Sequence, residues 1–109
     1  MSEPKEFTEE EVKIKFVSLC GNIVEFWKNT EGKTEEEKIR GAVFSVLSMI
    51  DGSHIHIPGF ILAPHPHESD KEFRKGIGED YYPENHESNV KCDISGGLHE
   101  LFVRTWSTE

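Results

Sequence analysis

Only two cysteines occur in the chain, Cys20 and Cys92, too few for a disulfide framework and not spaced as a metal knuckle. We read both as free thiols. Cys20 lies among apolar residues in a helical pattern and behaves as a small buried hydrophobe. No stretch approaches the roughly 18 consecutive apolar residues of a membrane-spanning helix. The start MSEPKEFTEEE places acids where a secretory signal has a basic start and then an apolar run. A cytoplasmic location is the resulting expectation. Positive charge is scarce as well, with 12 Lys and Arg against 21 Asp and Glu, for a net charge of −9. That balance argues against non-specific association with nucleic acid or anionic membrane, since both reward positive patches. It suits a basic protein partner, or simply a solvated acidic surface.

Signals for catalysis are sparse too. Gly76-x-Gly78 is too short for a phosphate loop and follows a helix instead of a strand. Ser45 and Ser48 fall inside a helical pattern, without the glycine context of a nucleophile elbow. Whether the chain is an enzyme is left open by its residues, and the balance leans against it.

What is present is a strongly patterned N-terminal half. With 109 residues, 35% of them hydrophobic and 30% charged, the chain fits one domain. Residues 1–6 read as a flexible polar tail. Thr8 and Glu11 form a reciprocal capping box, and Phe7 with Val12 takes the positions of a hydrophobic staple. Val12, Phe16, Leu19, Ile23 and Phe26 then recur at spacings of four and three, the stripe of an amphipathic helix ending near Asn29. Ile14, Val17, Cys20, Val24 and Trp27 widen that stripe, so a broad arc of the helix should be covered. Gly21 in its interior costs up to about 1 kcal/mol relative to alanine, which close packing of another element would offset. After the short linker NTEGK, Thr34 and Glu37 form a second capping box. Ile39, Val43, Val46 or Leu47, and Ile50 make the stripe of a second helix that Asp51-Gly52 ends. The short polar connection implies an antiparallel pair, with Gly41 at the crossing.

Beyond Gly52 the period changes. His54, Ile55, His56 and Ile57 alternate, Pro58-Gly59 supplies a turn, and Phe60 to Leu62 is a compact apolar run, which together read as a small β-hairpin. Pro64 and Pro66 hold the next segment extended. Ser69 with Glu72 offers a third capping box, for a short helix from about Asp70 to Lys75 that Gly76 and Gly78 stop. Glu79 to Val90 is polar and looplike. Asp93 or Ser95 can cap a last helix in which Leu98, Leu101, Phe102 and Trp106 share a face; a strand over 101–106 is the alternative. The expected fold is therefore α+β and mainly helical: an antiparallel helix pair, a small β-hairpin, a short third helix and a C-terminal helix.

Two constellations carry chemistry. The six histidines include two His-x-His pairs, His54 with His56 and His65 with His67. Side chains at i and i+2 of a strand share a face, so each pair could offer two imidazoles to one metal. Asp70, Glu68 or Asp51 could add a carboxylate to make a three-ligand site, and His65, His67 and Asp70 form the sharpest such set, suited to zinc or iron. The plainer reading makes them solvated histidines with no cofactor. His99-Glu100 could join the site or act as an acid/base pair, but with Leu98 and Leu101 inward both lie toward the surface.

The second constellation is Glu79, Asp80, Tyr81, Tyr82 and Glu84 around Pro83. Tyrosine brings large contact area at modest entropic cost, and the flanking carboxylates can steer a basic partner. This combination suits a protein interface, with either another protein or a second copy of the chain. Across Phe7 to Glu11 and Asp80 to Pro83 the text is locally similar to the bacterial nuclease-toxin immunity proteins. Those are small acidic helical proteins that use acidic helices and a Tyr-Tyr-Pro segment to inhibit a basic nuclease. The resemblance implies an inhibitor-like role for Tyr81 and Tyr82. It does not extend to the hairpin and histidine cluster read between the second helix and Tyr81, which that family lacks.

Overall fold

The computed structural model describes residues 4–84 and 89–106. The first three positions of the expected tail and residues 85–88 of the expected loop lie outside the described residues. Four α-helices follow in order, α1 (Glu9–Lys28), α2 (Glu35–Ile50), α3 (Asp70–Gly76) and α4 (Leu98–Trp106).

Both strong capping boxes form. Thr8 Oγ1 accepts from the Glu11 amide at 3.2 Å while Glu11 Oε1 accepts from the Thr8 amide at 2.9 Å. Thr34 and Glu37 repeat the exchange at 3.1 and 2.9 Å. Three glutamates in the first turn of each helix also complement the positive helix end. Phe7 stays exposed, with the ammonium groups of Lys5 and Lys15 over its ring.

α1 and α2 run antiparallel. The end of α1 meets the start of α2, where Lys38 Nζ donates to the Lys28 carbonyl and the Trp27 indole donates to Ser45 Oγ at 2.9 Å. Gly41 lies at this contact, and a Cβ there would come within 2.7 Å of the Trp27 ring. Nearer the other end, Ile23, Met49 and Ile57 form the buried cluster, with Phe16, Leu19, Cys20 and Val46 packed around it. Burial raises the Cys20 thiol pKa, which favours the protonated form over the thiolate.

The β-hairpin expected over Ser53–Leu62 is not formed, and no β-strand or sheet occurs among the described residues, apart from an isolated bridge at Asn89. The fold is helical, and the α+β expectation is corrected. The reason lies in where the backbone groups of this segment go. The Phe60 amide donates to the Ile50 carbonyl, the Leu62 amide to Asp93 Oδ1, and the Leu62 carbonyl accepts from Ile94. Phe60–Leu62 therefore pairs with the end of α2 and with residues 93–94, leaving Ser53–Ile57 without a partner strand. The turn falls at Ile55–His56, where His54 Nδ1 accepts from the His56 amide at 3.0 Å. Ile57 is buried and Ile55 almost fully exposed. Gly52, at φ +92°, and Gly59 bring their backbones together, and a Cβ on Gly59 would lie 3.0 Å from the Gly52 Cα. The positive φ of Gly52 favours glycine there, and a side chain at Gly59 would have to push the facing backbone away.

Two further expectations change. Ser69 makes no side-chain cap to α3, because its hydroxyl lies 2.8 Å from His67 Nδ1. On α1, Cys20 and Trp27 do pack inward, whereas Ile14, Val17 and Val24 are open and nothing lies within 4 Å of a Cβ at Gly21. The whole is broad and thin, about 53 × 52 × 18 Å, with a radius of gyration of 18.0 Å. A compact chain of this length has a radius near 13 Å. None of the described helices is long and apolar enough to cross a membrane.

Candidate functional site

α3 is the element that assembles both sequence-derived constellations. Its seven residues put Asp70, Lys71 and Arg74 on one side, and the chain then turns back over them through Gly78 at φ +74°. The Glu79 amide closes the turn by donating to the Arg74 carbonyl at 2.9 Å. Beyond it the tyrosines settle on the cations of α3. The Lys71 ammonium lies 5.4 Å from the Tyr81 ring centre and the Arg74 guanidinium 5.5 Å from that of Tyr82. Cation–π contacts of this kind contribute about 0.5–1 kcal/mol at exposed sites. They hold the rings in place and leave them 48% and 55% exposed.

Glu79 and Asp80 are exposed beside the rings and line, with Arg74 and the two tyrosines, an open hollow of about 530 Å³. Glu84 is different, half-buried and 3.9 Å from Lys71 Nζ. It ties the loop to α3, while Glu79, Asp80, Tyr81 and Tyr82 face outward.

His65, His67 and Asp70 line an adjoining hollow of about 310 Å³ that shares Arg74 and Tyr82 with the first. His67 and Asp70 are already engaged. His67 Nδ1 accepts from the Ser69 amide at 3.1 Å, and Asp70 Oδ2 accepts from Arg74 Nε at 2.9 Å. The guanidinium thus stands in the hollow as a fixed positive charge beside the carboxylate that a metal would need. Among the described residues no group of three His, Cys, Asp or Glu side chains is arranged to hold a metal ion. His54 and His56 sit elsewhere, at the edge of a groove between α1 and α2.

A further polar constellation, between α2 and α4, was not legible as a unit. Asp51, just past α2, reaches across to the start of α4. Its Oδ1 accepts from the Gly96 amide at 2.6 Å, and its Oδ2 from the His99 amide at 2.9 Å and from His99 Nδ1 at 2.6 Å. A carboxylate only accepts, so the contact requires the proton on Nδ1. The side chains are 2% and 19% exposed. Burial by itself raises the Asp51 pKa, but the hydrogen bonds from the His99 amide, the His99 ring and the Gly96 amide outweigh it and hold the carboxyl below its ordinary value.

His99 is thereby turned inward against the Phe44 ring, 5.5 Å between centroids, and Phe102 and Trp106 follow on the same side while Leu101 is 58% exposed. This corrects both the surface position expected for His99 and the inward one expected for Leu101. Asp93, one of the expected caps of α4, serves Leu62 and Ser95 instead. A signal for the pairing did exist. An aspartate at the C-terminal end of a helix is locally unfavourable because the helix end is negative, so its presence implies a donor from elsewhere.

The Asp51–His99 pair joins α2 to α4, and α3 carries the exposed aromatic and acidic surface. Comparison with known proteins finds no matching family model, no matching curated protein and no matching solved structure.

Proposed function

We propose that the chain is a non-enzymatic binding module that presents Glu79, Asp80, Tyr81 and Tyr82 to a basic protein partner, in the manner of an inhibitor. One observation carries this reading. Two neighbouring tyrosines stand half-exposed on a loop whose position is already set by Lys71 and Arg74. Aromatic anchors held before the partner arrives cost less entropy on binding. The exposed acids at their side and the net charge of −9 favour fast encounter with a cationic surface. The local likeness of Asp80–Pro83 to the nuclease-toxin immunity proteins points to the same class of partner, a basic nuclease.

The test is binding of the wild type, and of variants carrying Tyr81→Ala and Tyr82→Ala, to a panel of purified basic nuclease domains and other basic proteins. The expected result is a salt-sensitive complex with at least one nuclease that each substitution weakens by roughly 30-fold or more, the effect of a hot-spot residue worth at least 2 kcal/mol. Helical circular dichroism should be unchanged. A complex that ignores both substitutions, or no complex with any basic protein, refutes the proposal.

A further inference from the structure

α1 carries two apolar stripes and buries only one. Phe16, Leu19 and Ile23 face α2 and the core. On the far side, Ile14, Val17 and Val24 are 60%, 68% and 57% exposed, and Gly21 between them has open space beyond its Cα. Scattered exposed aliphatics need no explanation, but a contiguous row marks a contact surface. This row is regular. Glu10, Ile14, Val17, Gly21, Val24 and Lys28 follow at spacings of four and three, the seam of a helix that pairs with another helix.

The order of residues along the seam selects the occupant. Against a second copy running antiparallel, positions whose numbers sum to 38 face one another. Ile14 then meets Val24 of the other copy, Val17 meets Gly21, and at both ends Glu10 meets Lys28. A parallel arrangement would set Glu10 against Glu10 and Lys28 against Lys28. The seam is thus self-complementary in charge and shape in one direction only, the requirement for a two-fold interface. Glu10 and Lys28 cancel, so the acidity of the chain does not reside in the seam. Gly21 gives up helix propensity in an exposed interior position, and the facing Val17 of the other copy uses the space left by its missing side chain. We infer that two copies of the chain associate through the outer face of α1, antiparallel, with Val17 packed on Gly21 across the two-fold.

A single helix against its copy is a small interface of the weak class, so association is sought from about 10 µM to 1 mM by sedimentation equilibrium. The wild type is expected to shift from monomer to dimer in that range. Val17→Asp should abolish the shift while leaving the circular dichroism spectrum unchanged, because Val17 is 68% exposed within one copy. Glu10→Lys and Lys28→Glu should each weaken the dimer by roughly three- to tenfold, since either change sets like charges together at both ends. Combining the two should restore wild-type association. A wild type that stays monomeric throughout, a dimer that tolerates Val17→Asp, or single charge reversals that the double variant fails to rescue would each overturn the inference. A binding module that meets its partner through Tyr81 and Tyr82 is unaffected by these outcomes, because α1 contributes none of that surface.

Discussion

Replacing Asp51 by alanine removes the acceptor for two amides and one imidazole in a single step. The His99 amide belongs to the first turn of α4 and the Gly96 amide lies just before it, and loss of a helix cap costs about 0.5–2 kcal/mol. The His99 ring loses a hydrogen bond to a charged group, worth about 1.5–3 kcal/mol. Solvent screens this pair little, because the two side chains are only 2% and 19% exposed. The bonds share one carboxylate and are not additive, so we expect a total near 3 kcal/mol. For a chain of this size that corresponds to a fall in Tm of roughly 12–24 °C. Asp51→Asn keeps one carbonyl acceptor and should lose about half as much. Urea unfolding followed by far-UV circular dichroism measures both, and amide hydrogen exchange shows where the loss falls. α4 should lose protection before α1 and α2. An Asp51→Ala variant within about 0.5 kcal/mol of the wild type, or one whose α4 amides keep their protection, would refute the tether.

Other outcomes follow from the same packing. The carboxyl of Asp51 holds its proton less tightly in the folded chain than in the unfolded one. Its contribution is therefore complete above the unfolded value of about 3.9 and is lost as pH falls through the lower folded value. The stability gap between wild type and Asp51→Asn should accordingly narrow in urea titrations taken from pH 5 down to about 2. Gly41→Ala should lower Tm despite the better helix propensity of alanine, because the new methyl would stand 2.7 Å from a Trp27 ring held by Ser45. Gly21→Ala, measured at low protein concentration, should instead raise stability by up to about 1 kcal/mol, since the space around it is open. Thr8→Ala and Thr34→Ala should each cost about 0.5–2 kcal/mol in the same denaturation assay. Zinc, added to tag-free protein and then chelated, should leave Tm unchanged because Arg74 already occupies the hollow beside Asp70. A stabilisation near 2.7 kcal/mol, that of a ligand at about 100 times its Kd, would show a site there.

The elements legible from the residues alone are those whose determinants lie within a few positions of each other. The capping boxes at Thr8–Glu11 and Thr34–Glu37, the four-three spacing of α1 and α2, and the stop at Asp51-Gly52 are all local, so the antiparallel pair could be read directly. The aromatic and acidic residues of the candidate surface were legible for the same reason, as a contiguous run. Their support was not, because Lys71 and Arg74 come under the rings only when the chain turns back at Gly78.

Tertiary structure decided the rest. Alternation at His54–Ile57 is a strand signal only if a partner strand is free. Here the amides and carbonyl that could have supplied one, at Phe60 and Leu62, are committed to Ile50, Asp93 and Ile94. His99 reads as a surface residue on its own helix and becomes an inward one because Asp51, far away in the chain, needs a donor. Local sequence determined where α1 and α2 begin and end, because capping and periodicity act over one or two turns. Which backbone groups pair at a distance, and which polar side chains are drawn inward to satisfy them, was decided only when the chain closed on itself.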